Sequence, residues 1–271
     1  MSSQSESRRR LSVAMIVRDE EEVVGDALSS VEAVADEIIV VDTGSQDRTV
    51  QVAQEHHARV VWEPWTDDFA KARNRALREV TCDWVLWLDA GERLATDTVE
   101  PLKHFLESEA DPTKAYLLTI ELPPETRGAA PEQVSRIRLV PNVEGIEFVG
   151  RIRETLRKSL EIKGIAPELT PFRIVRTARD HDPEVKRRKA HRDIRLIELE
   201  VKQHGQQPHL LVALAEIHSA IDQPAKAVEM FRAAVAASSK GSTVQLEAYY
   251  GWITTLADDS QKLDEQLTVC V

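Results

Sequence analysis

The sequence predicts an α/β fold with a mostly parallel central sheet, followed by an α-helical tail. Short apolar runs alternate with amphipathic segments through the first half of the chain, which is the pattern of strand-helix-strand units. Two of these runs end in an acid, Asp42 and Asp89. Helical spacing of apolar residues takes over beyond Asp182-Pro183. We therefore expect a disordered leader over 1–10, an α/β domain over 11–181 and a helical region over 182–271.

Strands and helices are predicted to alternate along the α/β domain. Leu11 to Val17 reads as a buried strand, and apolar residues at helical spacing from Val23 to Val34 lead to a second buried strand, Glu37 to Asp42. We expect further helices from about Thr49, from Asp67 or Asp68 to Val80 and over 98–107, and strands over 59–62, 83–88, 115–122, 134–140 and 172–175. In open α/β sheets, ligands bind beyond the carboxyl ends of the strands, where Asp42 and Asp89 fall.

The tail has the apolar spacing of a helical repeat. A long helix is predicted from about Pro183 to Gly205, with Pro in its first turn and Gly after its end. Residues 208–241 match the tetratricopeptide spacing, and residues 244–258 could start another repeat. Because such helix pairs need neighbours to cover their apolar faces, we expect the tail to pack on the first domain or on a protein partner.

Composition excludes several classes of function. A formal charge of −11 argues against nonspecific binding to nucleic acid, which demands a basic face. The two cysteines, Cys82 and Cys270, lie far apart in sequence, which favours a reduced, cytoplasmic protein. No apolar stretch approaches the roughly 20 residues that a membrane span requires, so we expect none.

Four blocks of sequence carry a resemblance to a known family. They read MIVRDEE at 15–21, EIIVVDTGSQDRT at 37–49, DFAKARN at 68–74 and DWVLWLDAGE at 83–92. In this order and spacing the chain resembles bacterial family 2 glycosyltransferases, in the branch related to lipopolysaccharide-core glucosyltransferases and often fused to tetratricopeptide repeats. The resemblance covers about residues 11–240.

The resemblance implies a GT-A fold that binds a nucleoside-diphosphate sugar and transfers the sugar with inversion. It implies that Asp89 and Glu92 hold a divalent cation, manganese or magnesium, against the diphosphate. Glu154 matches the acid that takes the proton of the acceptor hydroxyl. The residues expected to bind the nucleotide sugar are Asp42, Asp68, Arg73, Asn74, Asp89, Arg153 and Arg176.

The chemistry of these residues agrees with the implied roles but leaves alternatives open. Asp42 could accept hydrogen bonds from a base or ribose, or it could simply shape the turn after its strand. Arg73 suits phosphate because its planar fork donates two parallel hydrogen bonds. Glu154 could instead pair with Arg151 or Arg157. Four tryptophans could stack on a ligand, but core packing is the expected role of most of them: Trp62, Trp65, Trp84 and Trp87.

The chain departs from the family pattern at the metal motif and downstream. Gly91 stands where the family has a second Asp, which predicts weaker binding of a cation. Arg153 and Arg176 each stand where His is usual, and Ala178-Arg179 replaces Gly-Tyr. If the missing carboxylate were the only loss, Gly91→Asp should restore metal dependence.

Two hypotheses of function follow. In the first, the protein is a transferase acting on a nucleotide sugar, with Arg153 or Arg176 supplying positive charge in place of the metal, and with a glycan or protein acceptor in surface-polysaccharide or glycoconjugate synthesis. In the second, catalysis has been lost and the domain is a binding or scaffolding module whose tail recruits a protein partner. A dinucleotide-binding fold is excluded, because Arg18-Asp19-Glu20-Glu21 replaces the glycine-rich turn that it needs.

Overall fold

The computed structural model describes residues 9–124, 130–178 and 182–257. The chain divides into two compact units, Met1–Arg179 and Asp180–Val271. The described residues do not include most of the predicted leader, residues 125–129 after β6, Arg179 or Cys270. Within the described part, no helix is long and apolar enough to cross a bilayer.

The first unit alternates strands and helices, as the sequence predicts. Its strands are β1 (Leu11–Val17), β2 (Glu37–Asp42), β3 (Arg59–Trp62), β4 (Trp84–Trp87), β5 (Glu92–Leu94), β6 (Lys114–Leu122), β7 (Glu132–Pro141) and β8 (Ala166–Arg176). Its helices are α1 (Val24–Ser29), α2 (Thr49–Glu55), α3 (Phe69–Leu77), α4 (Thr96–Ser108) and α5 (Arg157–Lys163).

The described strands form one sheet in the order β3-β2-β1-β4-β7-β6-β8-β5. β1 pairs in parallel with β2 and β4, β2 pairs in parallel with β3, and β6 pairs in parallel with β8. The pairings of β4 with β7, β6 with β7 and β5 with β8 are antiparallel. The predicted α/β class is therefore confirmed, with a mixed sheet whose first four strands are parallel and end at one edge.

The sheet is buried on both faces by helices. Val13 and Met15 of β1 pack in a core with residues of α1, α2 and α4, whereas Ala14 packs in a second core with residues of α3 and α5. Successive side chains of a strand point to opposite faces, so a strand covered on both sides is apolar throughout. This explains why β1 and β2 are continuous apolar runs, and it gives the carboxyl edge a rigid base.

Two elements of the first unit were not predicted, and the bounds differ most for β8, α1 and α3, which ends at Leu77 rather than at Val80. β5 and α5 are short, and neither has an apolar run of its own. β8 begins at Ala166 rather than near Phe172. The sequence did not indicate this earlier start, because the first residues of the strand are mostly exposed and form no apolar run. α1 ends at Ser29, although the helical spacing continues through the buried residues Val31 and Val34, which lie in turns.

The second unit consists of four helices in its described part: α6 (Pro183–His204), α7 (Pro208–Ala220), α8 (Pro224–Ala237) and α9 (Thr243–Ala257). Proline occupies the first turn of α6, α7 and α8, where its missing N–H is not needed. α8 and α9 approach closely at Gly251, where a Cβ atom would lie 2.3 Å from the Phe231 ring. The helical tail is confirmed, and its packing on the first domain or a partner stays a prediction.

Candidate functional site

A tight turn after β4 brings together the two acids of the metal motif. Glu92 N donates to Asp89 O at 2.8 Å, and Asp89 N donates to the Glu92 side chain at 3.0 Å. The Glu92 side chain is fully buried, whereas that of Asp89 is 31% exposed. Asp89 is thus the acid of this turn that a ligand can reach.

Arg73 connects α3 to this turn. Its Nη2 donates to Asp89 Oδ1 at 3.0 Å, and its Nε donates to Glu154 Oε1 at 2.6 Å. The guanidinium lies against the rings of Trp87 and Phe148, at 5.4 Å from each centroid. Stacking on aromatic faces and a two-sided ion pair fix the orientation of this side chain.

Arg138 and Arg176 contact the same two carboxylates from two other strands. Arg138 Nη2 donates to Glu92 Oε1 at 2.7 Å and to Asp89 Oδ2 at 3.2 Å. Arg176 Nη2 donates to the same oxygens, at 2.9 Å and 3.4 Å respectively. The antiparallel register of β5 and β8 places Arg176 directly opposite Glu92.

The charges of this cluster shift several pKa values. Burial alone would raise the pKa of Asp89, but the charges of Arg138, Arg73 and Arg176 outweigh it and hold the pKa far below its usual range. Burial, followed by the charge of Asp89, raises the pKa of Glu92. Burial would lower the pKa of Arg73, but Asp89 and Glu154 raise it, so Arg73 stays protonated.

The donor set at this turn does not fit a divalent cation. A hard cation needs several oxygen ligands, and the predicted ligands Asp89 and Glu92 already bind guanidinium nitrogens of Arg138 and Arg176. No group of three or more His, Cys, Asp or Glu side chains in the described ranges has metal-binding geometry. The three carboxylates of the cluster, including Glu154, are matched by three arginines.

The loop that carries Glu154 is held against α3. Asn74 Nδ2 donates to Phe148 O at 2.9 Å, and Phe148 N donates to Asn74 Oδ1 at 2.7 Å. Phe69 N donates to Arg151 O, and Arg151 Nη1 donates to Asp67 O at 2.7 Å. These contacts give Asn74 a structural role in the loop, and its predicted contact with the nucleotide stays a prediction.

Backbone conformation also shapes this loop. A bridge between Val149 and Thr155 closes it, and Gly150 has a φ of +103°. Arg153 has a φ of +54°, in the left-handed region that side chains rarely adopt and that clusters at functional sites. Its side chain is exposed next to Glu154 in sequence. Glu154 does form an ion pair, but its partner is Arg73 and not the predicted Arg151 or Arg157.

Asp42 and Asp68 both organise backbone in this structure. Asp42 is 5% exposed and accepts from Gly44 N at 3.2 Å and from Ser45 N at 3.1 Å, so it shapes the turn after β2. Asp68 caps α3 by accepting from Lys71 N at 2.9 Å. Asp42 lies at the end of β2, Asp68 at the start of α3, Arg153 in the Glu154 loop and Arg176 at the end of β8. Arg176 joins the cluster around Arg73 through its contact with Asp89.

The tryptophans divide between core and surface. Trp84 and Trp87 are buried, as expected for core residues. Trp62 is 67% exposed at the end of β3, in register with Asp42 on β2. An exposed indole beside the Asp42 turn is available to stack on a flat ligand.

Arg138 is the site residue that the sequence did not indicate. It lies on β7, where the register of Leu139 opposite Leu86 places it beside the end of β4. The available signal was a single charge in the otherwise apolar run Ile137-Arg138-Leu139-Val140, since a charge at a buried strand position is rarely left unpaired. The pairing itself depends on the order of strands, which the sequence does not show.

One segment of the chain matches a known protein family. Residues 12–116 match the family described as glycosyl transferase family 2. This family 2 segment is similar to members of that family and covers less than half of the chain. The family 2 segment contains Asp42, Asp68, Arg73, Asp89 and Glu92, whereas Arg138, Glu154 and Arg176 lie beyond it.

The chain is similar in sequence to a repeat-containing protein and to glycosyltransferases. A TPR repeat-containing protein of Synechococcus elongatus is 38% identical over 151 residues, which are 56% of this chain and 36% of the relative. An uncharacterized glycosyltransferase of Rickettsia bellii is 32% identical over 103 residues, 37% of this chain and 34% of the relative. The matched segments thus span about a third of the length of these relatives.

Solved structures of low sequence identity share the fold of this chain. The S. aureus TarS crystal structure matches with a TM-score of 0.50 and 15% identity, over 96% of this chain and 54% of TarS. TarS 1–349 in complex with UDP-GlcNAc matches with a TM-score of 0.51 and 14% identity, over 94% of this chain and 92% of that one. The GT-A fold that the sequence predicts is confirmed.

Proposed function

We propose that this protein transfers a sugar from a nucleoside-diphosphate sugar to an acceptor, with inversion at the anomeric carbon. The observation that carries the proposal is the pair Arg73–Glu154, in which one guanidinium joins a half-buried carboxylate to Asp89 at the carboxyl edge of a family 2 domain. The presence of UDP-GlcNAc in a TarS fragment of the same fold supports a nucleotide-sugar donor, and we expect it to be UDP-linked.

Each part of the carboxyl edge has a role in this proposal. The Asp42 turn and the exposed Trp62 would bind the nucleoside. Asp89 and Arg176, whose side chains are 31% and 33% exposed, face the ligand from the charged cluster. Glu154 is the general base: Arg73 binds its Oε1, and we assign Oε2 to take the acceptor proton.

We further propose that the acceptor is a glycan or protein in surface-polysaccharide or glycoconjugate synthesis, and that the helical tail binds a protein partner. The fusion of a family 2 segment to tetratricopeptide-like helices supports the second point, because the relative from Synechococcus elongatus is named for such repeats. The expected manganese or magnesium ion gains less support, since guanidinium groups occupy its two predicted ligands.

A second candidate function is a binding module without catalysis. It is favoured by the ion pair at Glu154, whose side chain is 13% exposed and already bound to Arg73. A carboxylate held in this way must keep one oxygen accessible to act as a base. In this alternative, the domain binds the nucleotide sugar and the tail recruits a protein.

One set of measurements separates these functions. UDP-glucose, UDP-GlcNAc and GDP-mannose are titrated calorimetrically into the protein, and hydrolysis of each bound donor is then followed by NMR, which reports the anomer first released. Binding with release of the inverted anomer supports the transferase. Binding without hydrolysis supports the binding module, and absence of binding for every nucleotide sugar contradicts both.

A further inference from the structure

Two arginines bridge one pair of carboxylate oxygens at the position of the metal motif. Arg138 Nη2 and Arg176 Nη2 each lie within 3.4 Å of both Asp89 Oδ2 and Glu92 Oε1. A cation that used the same two oxygens would lie against both guanidinium groups. Because like charges repel strongly where water is excluded, the arginines and a divalent cation compete for one place.

The arginine pair matches a divalent cation in charge and in rigidity. Two guanidinium groups carry two positive charges at any ordinary pH. Arg138 is held on β7 with its side chain 9% exposed, and Arg176 is held opposite Glu92 by the register of β5 and β8. Positive charge that is fixed before the reaction stabilises a leaving group without reorganisation.

The solvent side of the cluster presents Arg176. The side chains of Arg73, Arg138 and Glu154 are 11%, 9% and 13% exposed, whereas that of Arg176 is 33% exposed. Asp89 is similarly exposed, but Arg73, Arg138 and Arg176 all donate to its carboxylate. A diphosphate that approaches this edge therefore meets the guanidinium of Arg176 and the carboxylate of Asp89, whose negative charge the arginines already compensate.

We propose that Arg138 and Arg176 together replace the divalent cation, so that this chain binds the diphosphate of its donor without metal. This inference rests on the proposed function. Arg176 donates hydrogen bonds to the diphosphate, and Arg138 is a positioning residue that holds Asp89, Glu92 and thereby Arg176 in place.

The reaction then balances without a metal ion. The acceptor oxygen forms a bond to the anomeric carbon, and the bond from that carbon to the diphosphate oxygen breaks. The bonding electron pair leaves with the diphosphate, whose developing charge Arg176 stabilises. The proton of the acceptor hydroxyl moves to Glu154.

The test separates the phosphate contribution to binding from the nucleoside contribution. UDP, GDP and their nucleosides uridine and guanosine are titrated into the full chain, in EDTA and in manganese. We expect the dissociation constant of the preferred diphosphate to agree within about twofold between the two conditions. Arg176→Gln should weaken diphosphate binding by about tenfold or more and leave nucleoside binding unchanged, because a charge-assisted hydrogen bond is lost.

Two further variants serve as controls. Arg173→Gln removes an arginine of the same strand whose partners are Asp97 and Glu121, and it should leave diphosphate binding within about twofold of the wild type. Arg138→Met should weaken diphosphate but not nucleoside binding, and Arg138→Lys should restore part of the loss. Thermal unfolding of each variant, measured in parallel, identifies any that fail to fold.

Three other outcomes would contradict either the inference or the proposed function. If diphosphate binding disappears in EDTA and returns with manganese, the arginine pair does not replace the metal, although the proposed function stands. If folded Arg176→Gln binds the diphosphate as tightly as the wild type, the inference is wrong. If no nucleotide binds in either condition, the proposed function itself fails, and the inference fails with it.

Discussion

Arg73 and Glu154, 81 positions apart in sequence, form a direct ion pair in which Arg73 Nε donates to Glu154 Oε1 at 2.6 Å. The pair joins α3, inside the family 2 segment, to a loop that lies beyond it. The same guanidinium also binds Asp89. One side chain thus sets the distance between the proposed general base and the acid at the end of β4.

Glu154→Gln is expected to abolish most transferase activity and to leave donor binding nearly unchanged. The amide keeps the shape of the side chain but cannot accept the acceptor proton, and general bases contribute about 10²–10⁴ in rate. Turnover and the dissociation constant of the donor should be measured on the same preparation. The exposed Glu161 of α5 gives the control variant, Glu161→Gln, which should retain activity. Full activity in Glu154→Gln would rule out this residue as the base.

Arg73→Lys is expected to lower the free energy of unfolding by about 2 kcal/mol, because an ammonium cannot bind Asp89 and Glu154 in the same two-sided geometry or stack between two rings. Urea unfolding measures the change. Arg75→Lys, two residues further along α3, removes more exposed ion pairs with Glu63 and Glu79 and should cost less than about 0.5 kcal/mol. Equal losses in the two variants would mean that the Arg73 geometry adds no stability.

Arg138→Met is expected to destabilise the fold by about 3 kcal/mol, because it leaves the buried charge of Glu92 with Arg176 as its remaining arginine partner. Adding Glu92→Gln should recover part of this loss, since the uncompensated charge is removed. Urea unfolding of Arg138→Met, Glu92→Gln and the double variant completes a double-mutant cycle. Additive losses would contradict a direct energetic coupling of the two side chains.

Asp89 is expected to make stability depend on pH. Burial would raise its pKa, but Arg138, Arg73 and Arg176 lower it below the ordinary value of 3.8. Because the folded-state pKa is the lower one, the ionised carboxylate stabilises the fold above the ordinary pKa, and this contribution is lost as the pH falls through the folded-state pKa.

The comparison of wild type with Asp89→Asn isolates this contribution. The variant should be less stable at about pH 7, and the difference in the free energy of unfolding should shrink as the pH falls from about 4 to about 3. Chemical unfolding at each pH measures it. A difference that stays constant or grows on acidification would show that the arginines do not favour the ionised form.

Gly91→Asp is expected not to create a manganese site. A Cβ atom at this position lies 3.3 Å from Thr177 Oγ1, and the new carboxylate would join a turn whose acids are still bound by Arg138 and Arg176. Manganese binding is measured by electron paramagnetic resonance, with Gly91→Ala as the control for the steric effect of Cβ alone. Stoichiometric manganese binding in Gly91→Asp would show that the missing carboxylate was the sole loss.

The order of strands and helices in the first unit could be predicted because local apolar patterns follow burial. β1 and β2 are covered on both faces and therefore appear as continuous apolar runs, and α3 begins at the Asp68 cap expected for it. β5 escaped prediction because it spans only Glu92–Leu94 and owes its pairing to β8. Such an element is defined by its partner and not by its own sequence.

The site was predictable only in part, for a similar reason. Asp89 and Arg73 lie in blocks whose spacing indicated a ligand edge, but the contact of Arg73 with Glu154 joins parts of the chain that no local pattern connects. Arg138 reaches Asp89 only because β7 pairs with β4. The spacing of residues along the chain indicated which side chains lie at the ligand edge. Which of these charged side chains pair with one another depends on the order of strands in the sheet.

The paired hydrogen bonds between Asn74 and Phe148 bear on how the site can move. Together with the contacts of Arg151 to Phe69 and Asp67, they hold the first half of the Glu154 loop against the start and middle of α3. The loop and the helix are therefore joined by hydrogen bonds on both sides of the Arg73–Glu154 ion pair. We therefore expect any closure over a bound donor to involve a segment other than this loop, while Arg73 and Glu154 stay in contact.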